Sequence, residues 1–549
     1  MPPRRSLVAV LSLLAVLPAC RSSMPRAGGD GYEDLGPLHR AISTRSSEAQ
    51  KWFDRGLAQG FGFNHAEAIA CFRRALEHDP ECAMAYWGIA FASGPHINNP
   101  GMDESASREA IQATREAVSL LAHATPVERD LIRALEKRYA WPPPADRKPL
   151  DASFAEAMRE VRRAHPEDAD VAALFAESLM DLRPWDLWTA EGKPQPETPE
   201  ILETLEAALA LDPNHPLGLH LTIHALEASP NPERALPAAD RLRHRLPGVG
   251  HLVHMPSHID VLVGRYDEAV AANRRAVAAD ERFVARAGRG GFFTLYRAHN
   301  YHMLVYAAMF AGRSAEALAA ARRLVEEIPE KDVEAIPDFL EAFLPTPLHV
   351  LVRFGRWEEI LKEPPPPPGR PVVVAFRAYA RALALSTLGR VEAARAEFRE
   401  FERASEAVPE SRTHGNNSVR DLLAIARPML EGEIEYRAGR HDRAFELLRD
   451  AVARDDALRY DEPWGWMQPA RHSLGALLLE QGRHEEAEKV YRADLARHPE
   501  NGWSLHGLAE CLRALGRAPE AADVEARLAK AWANADVEIY ASCFCRQRA

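Results

Sequence analysis

The stretch KWFDRGLAQGFGFNHAEAIACFRRALEHDP, residues 51–80, decides the fold of this chain. Its large, small and helix-ending residues fall at fixed spacings, at Trp52, Gly56, Ala68, Phe72, Ala75 and Pro80. The small residues allow two paired helices to approach closely, and the two aromatic rings fill the space between neighbouring turns. The pattern therefore predicts a pair of antiparallel helices joined by a short turn.

The same six positions resemble a tetratricopeptide repeat, a helix hairpin that stacks on copies of itself. A chain of 549 residues is too long for one compact core unless it grows by repetition. Aromatic residues make up only 7% of the chain, and its abundant Ala, Leu, Arg and Glu favour helix. We therefore predict an all-α protein, a right-handed α-solenoid of tetratricopeptide-type helix hairpins.

Gly-Arg dipeptides mark the helix–helix turns of the later repeats. Their glycines are Gly264, Gly312, Gly355, Gly389, Gly439, Gly482 and Gly516. Glycine suits such turns because it adopts the left-handed backbone conformation without steric cost. An insertion from Val284 to Arg297 and a polyproline run, Pro364 to Pro368, interrupt the repeat pattern.

The predicted organisation has seven parts. A signal peptide at 1–19 is followed by a tether at 20–45 and by N-terminal repeats with insertions at 46–215. Central His-rich repeats at 216–363, a polyproline linker at 364–369, C-terminal repeats at 370–535 and a tail at 536–549 complete the chain.

The N-terminus has the features of an export signal, with Arg4 and Arg5 before an apolar core from Leu7 to Leu17. The sequence Leu17-Pro18-Ala19-Cys20 resembles the lipobox of bacterial lipoproteins, which implies cleavage before Cys20 and lipidation of its thiol. An ordinary secretory signal is the alternative, because Pro18 replaces the usual small residue. Either interpretation predicts an exported, periplasmic or cell-envelope protein that contacts the membrane only through an N-terminal lipid anchor.

The net charge and the number of cysteines indicate which partners and how many disulfides to expect. The formal net charge of −12 argues against nucleic acid as the main partner. Six cysteines are few for an exported chain of this length, so no disulfide framework is expected. Cys543 and Cys545 allow three interpretations: a metal-binding pair, a vicinal redox pair, or ordinary tail sequence.

Several longer segments extend the resemblance beyond the generic repeat. They are 63–68, 85–88, 183–188, 224–229 and 250–258. These segments resemble a widespread bacterial family of long tetratricopeptide proteins over most of the mature chain. The resemblance implies the solenoid architecture and draws attention to the His-rich segment, but it implies no particular activity.

Three successive first helices of the repeats carry potential metal ligands. They are His220, His224, Glu227, His251, His254, His258, His299 and His302. Spacings of three and four residues place the members of each helix on one face. In tetratricopeptide proteins these positions line the concave groove. Pro256 lies within the middle helix, and we expect it to bend the helix and move His258 away from the others.

These ligand types in adjacent helices favour a transition metal. Packed helices lie about 8–10 Å apart, which lets imidazoles from neighbouring groove faces reach one ion. Neutral imidazole suits Zn, Cu, Fe or Ni, the carboxylate of Glu227 extends the set, and the ligand number allows two ions. The prediction is a binding or scaffold protein whose groove holds a transition metal (Zn, Cu or Fe) and a protein or peptide partner.

Two other functions stay open. The first is a metal-free protein–protein scaffold whose histidines contact a peptide. The second is a metal-dependent hydrolytic or oxidative enzyme with Glu227 as base, although no catalytic residue is assigned. Trp185 and Trp188 are expected either to cap the groove or to anchor a long loop. His349, His472 and His506 also fall at groove positions, and they either extend the His-lined surface or show that the groove generally tolerates histidine.

Overall fold

A computed structural model describes Tyr32 and residues 34–548. The described chain is helical except for one hairpin of two antiparallel strands, β1 (Thr413–His414) and β2 (Asn417–Ser418). The predicted all-α solenoid of helix hairpins is therefore confirmed. The predicted signal peptide and the lipidation site at Cys20 lie outside the described residues.

The chain divides into two compact units. The first comprises Met1–Ile259 and Arg275–Gly288, and its description begins at Tyr32. The second comprises Asp260–Arg274 and Arg289–Ala549, and its description ends at residue 548. The seven-part organisation inferred from the sequence stays a prediction.

Thirteen helices cover the first unit and its boundaries. They are α1 (Ser47–Phe61), α2 (His65–His78), α3 (Ala83–Ala92), α4 (Glu104–Ser119), α5 (Pro126–Leu135), α6 (Lys148–Ala164), α7 (Ala169–Met180), α8 (Thr198–Leu211), α9 (Pro216–Glu227), α10 (Leu236–Leu242), α11 (Gly250–His254), α12 (Pro256–Leu262) and α13 (Tyr266–Ala287). The unit boundaries fall inside α12 and α13. Short 3-10 helices occupy Leu121–His123 and Pro232–Ala235.

The second unit contains the remaining helices. They are α14 (Phe293–Phe310), α15 (Ser314–Glu327), α16 (Glu330–Ala335), α17 (Pro337–Leu340), α18 (Thr346–Arg353), α19 (Trp357–Lys362), α20 (Pro371–Thr387), α21 (Val391–Glu406), α22 (Val419–Arg437), α23 (His441–Asp456), α24 (Ala470–Glu480), α25 (His484–Arg497), α26 (Gly502–Ala514) and α27 (Ala518–Ala531), with a 3-10 turn at Glu341–Phe343. None of the helices in the described part of the chain combines the length and the apolar character that a membrane-spanning segment needs.

Phe72 explains the small residues of the first repeat. Its ring lies so close to α1 that a Cβ atom on Gly56 would come within 2.4 Å of it. A Cβ on Gly88 of α3 would come within 2.7 Å of the same ring. Glycine at both positions lets three helices close around one buried aromatic side chain, as the sequence pattern predicts.

The glycines of the Gly-Arg turns have the predicted left-handed conformation. Their φ angles, at Gly264, Gly312, Gly355, Gly389, Gly439, Gly482 and Gly516, lie between 62° and 80°. Each turn joins two antiparallel helices because the left-handed residue reverses the chain within a few residues.

One segment differs from the sequence-based expectations. The predicted insertion from Val284 to Arg297 is mostly helical, because α13 continues to Ala287 and α14 begins at Phe293. The run at 364–369 simply joins α19 to α20 inside the second unit.

The C-terminal tail is not ordinary tail sequence, and that interpretation of the cysteine pair is wrong. Cys543 and Cys545 form a disulfide, whereas Cys71, Cys82 and Cys511 are buried free thiols. Within the same unit the buried Arg353 donates a hydrogen bond to the carbonyl oxygen of Ser542 at 2.8 Å. The tail therefore packs as part of the second unit.

Two glycines of α1 give a matched test of the packing around Phe72. We expect Gly56→Ala to destabilise the protein by about 1–2 kcal/mol, since overpacking outweighs the better helix propensity of alanine. The matched Gly60→Ala should be neutral or stabilising, because its Cβ would lie 3.8 Å from Ala68. Urea unfolding midpoints measure both changes, and equal midpoints for the two variants would contradict this packing.

Candidate metal centre

Helix α9 positions two of the predicted ligands. His215 caps its N-terminus, because the Nδ1 atom of His215 accepts a hydrogen bond from the Gly218 N–H at 3.1 Å, and Pro216 suits the first helical position. The Nε2 atom of His215 is held by Asp170 at 2.9 Å. His220 and His224 follow one turn apart, with their ring centroids separated by 4.9 Å.

Helices α11 and α12 position three more of the predicted ligands, His251, His254 and His258. Gly250 begins α11 where a Cβ would lie 1.9 Å from the Oδ1 atom of Asp280 on α13, so a larger residue does not fit there. Pro256 does not bend α11 but begins a new helix, α12. Met255, between the two helices, has helical dihedral angles (φ −47°, ψ −39°). His258 consequently remains beside His254, and the expected displacement of His258 is wrong.

Six of the eight predicted residues belong to the first unit, and all six are buried. His220, His224, Glu227, His251, His254 and His258 are each at most 5% exposed. The expectation that they line an open groove is therefore wrong, because the repeat template does not show which first-helix positions the rest of the fold covers. His299 and His302 lie on α14 in the second unit.

Three of the imidazoles form a compact triad, His220, His224 and His251, which we call the imidazole triad. One ring nitrogen from each lies within 4.8 Å of the others. The Nε2 atoms of His220 and His251 are 3.1 Å apart. The Nε2 atom of His224 is buried and has no hydrogen-bond partner among the described residues. Such an unsatisfied buried nitrogen is costly unless something binds it.

A hydrogen-bonded chain connects the triad to the other two histidines. The Oε1 atom of Glu227 lies 2.7 Å from Nδ1 of His224, and its Oε2 atom lies 2.5 Å from Nδ1 of His258. The Nε2 atom of His258 lies 2.6 Å from Nε2 of His254. If both Nδ1 atoms donate to the carboxylate, a neutral His258 accepts from His254 and a neutral His224 presents an Nε2 lone pair.

A backbone carbonyl and the burial of the rings determine where His220 and His224 carry protons. The carbonyl oxygen of Phe61 lies 2.8 Å from Nδ1 of His220, which assigns the proton to that nitrogen and leaves Nε2 as an acceptor. Burial, reinforced by His224, lowers the pKa of His220 well below its usual value. Burial also lowers the pKa of His224, against the opposing effect of Glu227. Both rings are therefore neutral, the form that binds metals.

Glu227 stays ionised although it is buried. Burial alone would raise the pKa of its carboxyl group, but the imidazoles of His224 and His258 lower that pKa below the usual range. A carboxylate that accepts two imidazole N–H groups is a weak base, since its lone pairs are already engaged.

Sequence reasoning missed three residues at this site. Phe63 lies face to face or tilted against the triad, with its ring centroid 4.5 Å from that of His220 and 5.6 Å from that of His251. His96 and His65 follow on its other side, with the His96 ring 4.5 Å from that of Phe63 and 4.4 Å from that of His65. The sequence feature that could have drawn attention to Phe63 is an aromatic residue in the Gly62-Phe63-Asn64 turn. In the structure Phe63 has a left-handed φ of 57° there.

Trp188 anchors the loop before α8, and Trp185 in the same loop contacts His224. The indole N–H of Trp188 donates to the carbonyl oxygen of Ala225 on α9 at 2.8 Å, which fixes the loop. Trp185, with φ 61°, points its ring edge-on at His224 with centroids 5.5 Å apart. The expected anchoring role thus describes Trp188, whereas capping of a groove by Trp185 stays a prediction.

Comparison with known proteins identifies the repeats. The family model described as tetratricopeptide repeat matches residues 53–92, and a second model of that description matches residues 478–538. Together with the helix hairpins, these matches identify tetratricopeptide repeats near both ends of the described chain. No protein with a curated description matches the sequence.

Three solved structures are similar to this chain at low sequence identity. The human IFIT1 dimer with m7Gppp-AAAA is 13% identical, with a TM-score of 0.31, and the match covers 89% of this chain and 90% of that one. Yeast Tom70 is 14% identical, with a TM-score of 0.27, over 88% and 90% of the two chains. The P58(IPK) TPR domain is 11% identical, with a TM-score of 0.22, over 86% and 99%. Similarity at this level supports no statement about ligands.

The neutral buried histidines give the protein a definite pH dependence. The pKa of His65 is lowered to about 4 by burial and by Arg138, and burial, His65 and Arg138 lower the pKa of His96 well below its usual value. Well above pH 6.5 these two histidines are neutral in both the folded and the unfolded chain, but as the pH falls through 6.5 the unfolded chain binds protons that the folded chain does not. The contribution of the two histidines to the free energy of unfolding should therefore fall as the pH drops from 6.5 towards about 4.

Urea unfolding at a series of pH values measures this slope. His96→Gln should make the slope of the free energy of unfolding against pH less positive, whereas replacement of the exposed His78 by Gln should leave the slope unchanged. Equal slopes in the wild type and His96→Gln would show that His96 is not held neutral.

Proposed function

We propose that this tetratricopeptide-repeat protein is a scaffold for a protein or peptide partner, and that a transition metal at the imidazole triad cross-links two of its repeats. The observation that carries the proposal is the buried, unpartnered Nε2 atom of His224, one turn from His220 and close to His251. His220 and His224 lie on α9 and His251 on α11, so an ion bound by all three would join successive repeats.

The spacing of the ring nitrogens suits one ion. With bonds of about 2.0–2.1 Å, two imidazoles on a tetrahedral metal have their nitrogens about 3.3 Å apart. The 3.1 Å separation between the Nε2 atoms of His220 and His251 is close to that value. The 2.6 Å separation between His254 and His258 is shorter and fits an N–H···N hydrogen bond instead.

We therefore assign Glu227, His254 and His258 an orienting role in place of the direct ligation inferred from the sequence. Metal-binding histidines generally donate their second N–H to a carboxylate or a backbone carbonyl, which fixes the ring and raises its basicity. Glu227 supplies the carboxylate for His224, and the Phe61 carbonyl supplies the second acceptor for His220. His254 and His258 hold the far oxygen of Glu227 in place.

The surroundings favour a structural metal over a catalytic one. A hydrolytic enzyme with Glu227 as base needs a free carboxylate, but both oxygens of Glu227 are engaged by imidazoles. Phe63 and Trp185 cover the triad, and every ring in it is at most 5% exposed. A metal-free scaffold whose histidines contact a peptide needs exposed rings, so this burial argues against that alternative as well.

The ligand chemistry narrows the choice of metal. Three neutral imidazoles are borderline ligands that suit Zn, Cu or Fe and are unsuited to Ca or Mg. Zinc accepts three histidines and a fourth, small ligand in a tetrahedral arrangement. We therefore propose Zn as the first ion to test.

Metal content tests this proposal directly. The full chain, purified without a His tag and loaded with Zn, should retain Zn after excess metal is removed, as measured by elemental analysis. The combined variant His220→Ala/His224→Ala should lose it. Glu227→Gln keeps all three triad ligands but loses their orienting carboxylate, and it should weaken Zn binding by about 10–100-fold.

His215→Asn is the matched control. Asn also caps helices, and the Nε2 atom of His215 is occupied by Asp170, so this variant should bind Zn like the wild type. Zinc should also raise the unfolding temperature of the wild type and the control, since a ligand that binds only the folded state stabilises it. Equal Zn content in the double variant and the control would refute the triad as the site.

We also propose that the protein is exported and carries a lipid on Cys20. The sequence Leu17-Pro18-Ala19-Cys20 and the apolar run before it support this proposal. In a bacterial host with lipoprotein-processing enzymes, the wild type should fractionate with membranes, and Cys20→Ser should release it into the soluble fraction. Replacement of the free Cys71 by Ser is the control, and unchanged fractionation of Cys20→Ser would exclude lipidation.

A further inference from the structure

The second unit contains a separate group of soft ligands in its interior. His302 on α14 and Met467, in the loop before α24, are each 2% exposed. The Nε2 atom of His302 lies 3.2 Å from the Sδ atom of Met467. A thioether sulfur is only a weak hydrogen-bond acceptor, so this contact alone compensates poorly for burying an imidazole nitrogen.

A third side chain completes the group. The ring of His414, on β1, is T-shaped to that of His302 with centroids 4.8 Å apart. His414 is 7% exposed, and its Nδ1 atom is buried without a hydrogen-bond partner in the described chain. Two imidazoles and a thioether thus lie together, and the Nδ1 atom of one imidazole has no hydrogen-bond partner among the described residues.

The hairpin that carries His414 is held firmly. A Cβ on Gly415 would lie 2.0 Å from the carboxylate of Asp461, so only glycine fits the turn, which has a φ of 55°. The side-chain amide of Asn417 donates to the carbonyl of Arg459 at 3.1 Å, which ties β2 to the loop after α23. His414 is therefore placed by a fixed turn and not by a loose connection.

Aromatic rings surround the group. Phe343 lies edge-on to both imidazoles, with centroids 5.4 Å from His302 and 5.1 Å from His414. Trp466 precedes Met467 in the chain and is 2% exposed. These neighbours exclude water, which disfavours strongly hydrated divalent cations and favours a weakly hydrated monovalent one.

We propose that His302, Met467 and His414 form a second metal site, specific for Cu(I). Thioether and imidazole ligands select this soft ion, and three neutral ligands leave a single positive charge to be buried. Bonds of about 2.0 Å to nitrogen and about 2.3 Å to sulfur place the two ligand atoms about 3.5 Å apart around a metal. The observed 3.2 Å therefore needs only a small adjustment. This assignment takes His302 away from the site inferred from the sequence.

The site is independent of the imidazole triad. Its three ligands all belong to the second unit, whereas the triad belongs to the first. The two sites also differ in chemistry, since only this one offers sulfur. A Cu–S bond is therefore a signature that copper bound at the triad cannot produce.

Copper X-ray absorption of the full chain, loaded with one equivalent of Cu(I) under ascorbate instead of a thiol reductant so that the Cys543–Cys545 disulfide stays intact, tests this proposal. The wild type should show a sulfur neighbour at about 2.3 Å together with nitrogen neighbours. Met467→Leu, which nearly conserves side-chain volume, should lose the sulfur signal and bind Cu(I) about 100-fold more weakly in a chelator competition.

Two further variants make the result unambiguous. Met303→Leu changes the buried methionine next to His302 on the same helix and should retain both the sulfur signal and the wild-type affinity. His220→Ala/His224→Ala should also retain the sulfur signal, so that failure of the triad and failure of this site are distinguished. A copper environment of nitrogen alone in the wild type, or equal affinities for Met467→Leu and Met303→Leu, would overturn the proposal.

Discussion

The buried histidines of the first unit depend on one carboxylate. Glu227 stands in the chain of hydrogen bonds that runs from His254 through His258 to His224. Because its two oxygens each take one imidazole N–H, every ring in that chain can be neutral and still have a defined proton position. Burying several imidazoles together is costly unless their protons are ordered in this way. The direction of the His224 lone pair follows from that order.

The repeat architecture makes such an arrangement possible. Helix hairpins that pack through glycine and alanine, as around Phe72, bring backbones close and repeat the same face in each successive unit. Residues one turn apart on α9 then meet residues at the equivalent positions of α11. Particular residues are needed where the helices begin. Gly250 at the start of α11 leaves room for the side chain of Asp280, and His215 caps α9. Packing and site therefore depend on the same few small or capping residues.

The sequence predicted the repeats and the close approach of several histidines, and the physical reasons can be stated for each. Spacings of three and four residues define a helix face regardless of context, so His220 and His224 could be paired from the sequence. Burial could not be predicted, because it depends on Phe63 and Trp185, which are distant in the chain. The direction of each lone pair also requires coordinates, since it is set by Glu227 and the Phe61 carbonyl. Met467 was missed because it lies 165 residues from His302.

Phe63 adopts a left-handed backbone conformation that an aromatic residue normally avoids, at a cost on the order of 1–3 kcal/mol. Glycine or asparagine in its place would relax the turn between α1 and α2, but it would also remove the ring that covers the triad. Phe63 therefore lowers the folding free energy available at this turn, and in exchange its ring keeps water away from the histidines.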